Sequence, residues 1–223
     1  MEIGALVGIG RTADVFEYGG GRVLRRYRDG FDASWEVTVM THLRRHGYPV
    51  PAVWAGGGAA ELVLERLDGG TMMAGLLAGE VDGEWAGAVL GQLLERLHAV
   101  PAQESTDPAH RVLHLDLHPD NVFLTARGPV VIDWATAMDG PPGLDRAMSA
   151  LILAQAALTM PEVGAVARAT LRGLLRQLGG TEGMLLTQAR ARRADNPTMS
   201  ATEIAALDGA LALIAEVERE LGR

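Results

Sequence analysis

The stretch Val112–Asn121, VLHLDLHPDN, constrains this chain more than any other, together with the answering run Val130–Trp134, VVIDW. Each is a short apolar segment that delivers a carboxylate, Asp116 in the first and Asp133 in the second, and a carboxamide, Asn121, follows five residues after Asp116. A group that takes the proton of an attacking hydroxyl can be a carboxylate such as Asp116. A hard cation such as Mg²⁺ needs oxygen ligands, which the Asn121 side-chain carbonyl and the Asp133 carboxylate can supply. The spacing therefore fits a phosphoryl-transfer site. A rival reading starts from an extended His114–His118, where alternation would put His114, Asp116 and His118 on one face as a zinc-hydrolase cluster. Pro119-Asp120 interrupts such a strand at once, and Asp133 follows in a second apolar run, so this reading ranks behind the first. His114 is expected to brace the loop; His118 has no assigned role.

The order His-x-Asp-x4-Asn, then an Asp after a buried strand, is that of the kinase catalytic loop and metal-binding Asp. HLDLHPDNV followed by VIDW resembles the signature of the aminoglycoside phosphotransferase and choline kinase family, the small-molecule branch of the protein-kinase-like fold. Protein kinases usually carry Arg before the catalytic Asp and Phe-Gly after the metal Asp; Leu115 and Trp134 stand here instead. The resemblance implies an α+β, two-lobed fold: a small antiparallel β-sheet with one main helix in the N-lobe, and a mainly helical C-lobe. It places a nucleotide-binding lobe over residues 1–66 and a catalytic and substrate-binding lobe over 67–223. It also implies ATP as co-substrate, Mg²⁺ as cofactor and a small-molecule hydroxyl as acceptor, with Asp116 as catalytic base and Asn121 and Asp133 on the metal.

With 223 residues the chain can bury a substantial core, as one domain or two small lobes. Cysteine is absent, which rules out disulfides and thiolate metal sites and suits a reducing cytosol. The N-terminus lacks a basic leader before a long apolar run, and no apolar stretch reaches spanning length, so a cytoplasmic protein without a membrane partner is expected. A formal net charge of −8 argues against nonspecific nucleic-acid binding and is compatible with a cationic acceptor such as an aminoglycoside or a choline-like amine.

Residues Ala5–Val7, Val15–Tyr18 and Val23–Tyr27 read as a three-stranded meander. By resemblance, its first turn, with Gly8 and Gly10, would bring backbone N–H groups to nucleotide phosphates, and Thr12 would add a hydroxyl; two glycines in a hairpin also make an ordinary turn. Lysine occurs nowhere in the chain. At the strand position where the family carries the phosphate-binding Lys, Val23-Leu24-Arg25 offers Arg25, with Arg26 facing the other way. Arginine is planar and bulkier, so the exchange is not conservative, and it opens an alternative reading as a catalytically weak or silent nucleotide-binding module. Asp32–Arg45 reads as a helix capped by Asp32, with Glu36 in its first turns; the resemblance pairs Glu36 with Arg25, while a helix dipole favours an early acid in any case. Two further strands, around Val53-Trp54 and over Glu61–Glu65, complete the sheet. The segment Leu64–Gly69 resembles the family's hinge, where backbone groups near Glu65 and Leu67 would meet the adenine edge.

Beyond it, helices are expected over Thr71–Ala78, Trp85–His98, about Ala150–Gln177, Met184–Arg193 and Ala201–Leu221. A hairpin is expected between Val122–Leu124 and Val130–Ile132. A helix beginning near Leu144 leaves no room for a long activation segment, and Asp145 at its start would cap or brace the loop. Carboxylates of the last helix, Asp208 and Glu216 among them, are either a solvated face or acceptor contacts.

Overall fold

The computed structural model describes residues 2–223. The chain has a two-lobed α+β fold of the protein-kinase-like kind and clusters into two compact units. One takes the described residues up to 69 together with 123–137; the other takes 70–122 and 138–223.

The first unit is built on a five-stranded antiparallel sheet in the order β1-β2-β3-β5-β4, with β1 Leu6–Ile9, β2 Ala13–Glu17, β3 Arg22–Tyr27, β4 Val53–Ala55 and β5 Glu61–Glu65. Leu24 and Tyr27 lie on opposite faces of β3 and are both buried, 2 % and 4 % exposed, and β3 pairs with β5 through Leu24↔Val63 and Arg25↔Leu62. Ala13, Tyr27, Ala33 and Leu62 make a core joined by Val37, Val53, Leu64 and Ala135. The helix α1, Ser34–Arg45, buries Glu36, Val39, Met40 and Leu43. Asp32 does not cap it: the cap position is Ala33, and the Asp32 carboxylate instead accepts the Ser34 N–H at 2.9 Å, a local turn one residue too early for a cap. The hairpin of β8, Val122–Thr125, and β9, Gly128–Val131, turns at Ala126-Arg127, and Gly128 just after the turn takes φ +103°. From Phe123 onward it belongs to this unit, tied in by a Val131 N–H to the Pro49 carbonyl at 2.8 Å.

The second unit is mainly helical. Its elements are the two-residue strand β6, Gly70–Thr71, the helices α2 Met72–Leu77, α3 Gly83–Leu97, α4 Pro142–Thr159, α5 Gly164–Leu178, α6 Gly183–Ala194, α7 Ala201–Ala205 and α8 Leu207–Glu220, and a ribbon of β7, Arg111–Leu113, with β10, Met138–Gly140. Thr71 and Asp82 cap α2 and α3 by accepting the Ala74 and Trp85 N–H groups. Where α3 meets α5, Gly87 lies against Thr170 and Leu174 backbone and Gly173 against Glu84 backbone. A Cβ at either would collide with main chain, so the two helices approach at a distance only glycine permits. Each fully buried leucine of α3, such as Leu90, Leu94 and Leu97, contributes about 1.5–3 kcal/mol.

Two long helices of the sequence reading are each divided in the structure. The run through 150–177 breaks after Thr159, because Pro161 lacks an N–H and disfavours a helical Met160. The last helix is interrupted at Ala206 between α7 and α8. Among the described residues no helix is long and apolar enough to cross a membrane.

Candidate active site

In the first unit, β3 and α1 bring together three of the residues singled out in the sequence. Arg25 donates from one terminal nitrogen to Glu36 Oε1 at 3.2 Å and from the other to Asp133 Oδ1 at 2.8 Å. Glu36, only 1 % exposed, is also met by the Tyr27 hydroxyl at 2.7 Å and by the Trp134 backbone N–H at 3.1 Å. Tyr27 and Arg25 lie two residues apart on one strand, hence on one face, and the guanidinium carbon stands 4.8 Å from the Tyr27 ring centre. Arg26 faces away, as alternation requires, and pairs with Glu61 at the surface.

Burial and, to a smaller extent, the Asp133 charge push the Glu36 carboxyl up; Arg25, the Tyr27 hydroxyl and the Trp134 N–H pull it back, and the net direction is upward. Burial works against the Arg25 charge, but Asp133 and Glu36 more than offset it and hold the guanidinium firmly charged. Asp133 takes φ +64°, a left-handed conformation that costs a non-glycine residue about 1–3 kcal/mol. Trp134, fully buried edge-on against Tyr48 with its indole N–H on the Val131 carbonyl, anchors the chain just beyond it.

The glycine turn is smaller than the sequence reading. Gly8 lies within β1, opposite Val15, so the turn proper is Gly10–Thr12. Gly10 N–H donates to the Ala13 carbonyl, and an added Cβ would come within 3.1 Å of that oxygen. Arg28 donates to the Gly10 and Arg11 carbonyls and pairs with Asp14, while its own N–H reaches the Thr12 carbonyl at 3.0 Å. Glu65 ends β5; its N–H and carboxylate both engage Ala52, and the carboxylate pairs with Arg127. Leu67 follows, half-buried.

In the second unit, the segment after β7 carries Asp116 and Asn121. Extended alternation is absent: β7 ends at Leu113, and Leu115 takes φ +63°. The zinc arrangement loses its geometric premise, and no group of three or more His, Cys, Asp or Glu among the described residues is placed to hold a metal. The fully buried Asp145, near the start of α4, accepts the His114 N–H at 2.9 Å, the Leu115 N–H at 2.7 Å and a contact from His98 Nε2 at 3.1 Å. It braces the loop that presents Asp116, and His98, at the end of α3, is its partner. His114 accepts the Asp116 N–H on Nδ1 at 3.2 Å. Asn121, in a single 3-10 turn over Pro119–Asn121, donates Nδ2 to the Asp116 carbonyl at 2.9 Å, so its Oδ1 is the opposite end of a fixed amide. His118 lies 3.6 Å from the Asp116 carboxylate.

Burial pushes Asp116 up, but the nearby His118, with smaller help from His114 and Arg193, leaves it below the ordinary carboxylate value. Asp145 behaves likewise: burial raises it, and His98 with the backbone donors brings it down. Asp116 is therefore an accessible, ionised carboxylate on a fixed loop. The oxygens of Asn121 and Asp133 are hard donors, the kind a Mg²⁺ ion takes.

Tyr27, His98 and Arg193 were not singled out as site residues in the sequence. The two-residue step from Arg25 would have found Tyr27. No sequence signal leads from Asp116 to Arg193, which α6 supplies and which donates to Gln155 of α4.

The two-lobed α+β architecture is that of the protein-kinase-like fold. The chain belongs to the phosphotransferase enzyme family, whose model matches residues 5–111 and 105–186. No curated protein sequence gives a significant match. Among solved structures, the aminoglycoside phosphotransferase APH(4)-Ia, in a ternary complex with ADP and hygromycin B, is similar over 97 % of this chain and 94 % of its own, at 15 % identity and a TM-score of 0.55. A choline/ethanolamine kinase family protein from Mesorhizobium loti is similar over 97 % and 88 %, at 16 % identity and 0.57. The streptomycin-ATP-APH(2")-IIa ternary complex is similar over 97 % and 93 %, at 11 % identity and 0.54. At these identities the likeness is one of fold.

Proposed function

We propose that this chain transfers the γ-phosphate of ATP to a hydroxyl of a small molecule, with Mg²⁺ as cofactor. The observation that carries the reading is Asp116: a carboxylate held ionised and accessible on a loop fixed by Asp145 and set beside the Asn121 amide. In this reading the acceptor oxygen attacks the γ-phosphorus, its proton passes to Asp116, and the bond from the γ-phosphorus to the β,γ-bridging oxygen breaks, giving a phosphomonoester and ADP. Arg25 orients the phosphates, kept in place by Glu36, and the Gly8–Thr12 segment lies along them. Backbone groups near Glu65 and Leu67 receive the adenine. Asn121 and Asp133 hold Mg²⁺, which when bound neutralises charge on the triphosphate.

The structures of similar fold with hygromycin B or streptomycin, and the choline/ethanolamine kinase relative, support amino sugars and amino alcohols as first acceptors to try. The test is ATP consumption across such a panel, with the phosphorylated product identified by mass and Asp116→Asn as control. Turnover that survives in Asp116→Asn contradicts the role of Asp116. The second reading, a nucleotide-binding module without turnover, draws on one observation, the Arg in place of Lys with its two ends on Glu36 and Asp133. Tight ATP binding with no acceptor-dependent or hydrolytic ADP release would favour it.

A further inference from the structure

The Arg25 fork has a consequence for Asp133 that follows from its positive charge. One end of the guanidinium is fixed on Glu36, which is itself locked by the Tyr27 hydroxyl and the Trp134 N–H. The other end lies 2.8 Å from Asp133 Oδ1. Both carboxylates are thus served by one planar cation whose spacing suits two acceptors at once, whereas an ammonium is a single point of charge. The Asp133 side chain is 37 % exposed, open enough to meet an ion from solvent, yet its nearest positive charge is already built in.

We infer that Arg25 is a positioning residue that serves as a resident counter-cation for Asp133, so that a divalent metal binds this carboxylate only together with nucleotide. Without nucleotide, an incoming ion meets a neutralised carboxylate and an adjacent positive charge. Nucleotide phosphates, themselves acceptors for the guanidinium, draw that end of the fork away and expose the oxygen. Metal-first binding is suppressed, and metal and nucleotide bind as a coupled pair. This rests on the proposed role of Asp133 as a metal ligand.

The experiment is Mn²⁺ titration, as a paramagnetic stand-in for Mg²⁺, of the protein with and without ATP, read without ATP by the loss of the free-ion electron paramagnetic resonance signal and with ATP by the enhancement of water-proton relaxation over protein-free Mn²⁺–ATP. Wild type should bind Mn²⁺ weakly alone and tightly with ATP. Arg25→Met, which removes the charge, should tighten binding of Mn²⁺ alone by about tenfold or more, while Arg25→Lys, which keeps it, should leave that binding weak. If Arg25→Met does not fold because Glu36 is stranded, Arg25→Met/Glu36→Gln carries the same expectation with both buried charges removed. Adding Asp133→Asn to either should abolish the new site. Equal Mn²⁺ affinity in wild type and in the neutral variant, alongside Asp133-dependent binding with ATP, overturns the inference alone. Absence of Asp133-dependent binding even with ATP overturns the metal role of Asp133 and the inference with it.

Discussion

Two loops in this protein hold a non-glycine residue in the left-handed region, Leu115 at φ +63° in the helical unit and Asp133 at φ +64° in the sheet unit. Each is braced by a buried carboxylate, and the braces work differently. Asp145 receives two backbone N–H groups and His98, and stays below its ordinary pKa despite complete burial. Glu36 receives one backbone N–H, one phenol and a share of a guanidinium that Asp133 also uses, and it rises. Each has three donors, so the difference lies in exclusivity: Glu36 shares its cation with Asp133, whose like charge also raises it, whereas Asp145 keeps its donors to itself. It also separates the roles: the Asp145 brace fixes geometry for Asp116, whereas the Glu36 brace couples geometry to the charge state of Arg25 and Asp133.

The largest effect that would sharpen this contrast is on chemistry. Asp116→Ala should lower turnover by about 10²–10⁴-fold with melting temperature unchanged, since the Asp145 brace remains; parallel losses of both would show the loop depends on Asp116 itself. Next, Glu36→Ala should destabilise the fold by about 3–5 kcal/mol in denaturant unfolding, because it removes one of the two carboxylates on the buried Arg25 charge and leaves the Tyr27 hydroxyl and the Trp134 N–H without their acceptor. Asp145→Asn should cost about 1–3 kcal/mol, since an amide accepts through one oxygen where the carboxylate used two. A larger loss than for Glu36→Ala would reverse the ranking of the braces.

The two carboxylates also predict opposite pH dependence. Asp145, lowered on folding, contributes stability that is present above the ordinary Asp value of about 3.9 and is lost as pH falls through its depressed value. Glu36, raised on folding, contributes in the other sense: its share is full below the ordinary Glu value of about 4.3 and is lost as pH rises through its elevated one. Unfolding curves taken from acid to neutral pH should therefore flatten at the acid end in Asp145→Asn and at the upper end in Glu36→Gln. If both variants flatten at the same end, the distinction between the braces fails. The smallest effect is the baseline: Arg190→Ala, breaking an exposed pair with Asp208, should leave the melting temperature unchanged.

Local patterns carried the reading where neighbours in sequence are neighbours in space. Asp116 and Asn121 share one loop, and β8 and β9 are joined by a tight hairpin, so spacing alone brought each pair together. The contact of Arg25 with Glu36 joins adjacent elements, β3 and α1, and was expected from the resemblance. Proline gave a signal that the reading passed over, the break at Pro161. The sequence held no mark of the left-handed Leu115 and Asp133, because an unfavourable backbone angle is imposed by tertiary hydrogen bonds rather than chosen by the residue.

The amino-acid order by itself determined the residue types on offer: carboxylate, carboxamide and second carboxylate at fixed spacing, arginine as the sole fixed side-chain cation, and helices and strands from hydrophobic period. Only the tertiary structure decided which charges meet. Arg25 and Asp133 stand 108 positions apart, and Asp145 reaches back about 30 residues to hold His114 and Leu115. Propensity and spacing act over a few residues. The long-range contacts exist because core packing fixes the ends of each element, and at ion-pair distance the energy is set by that placement rather than by the sequence between the partners.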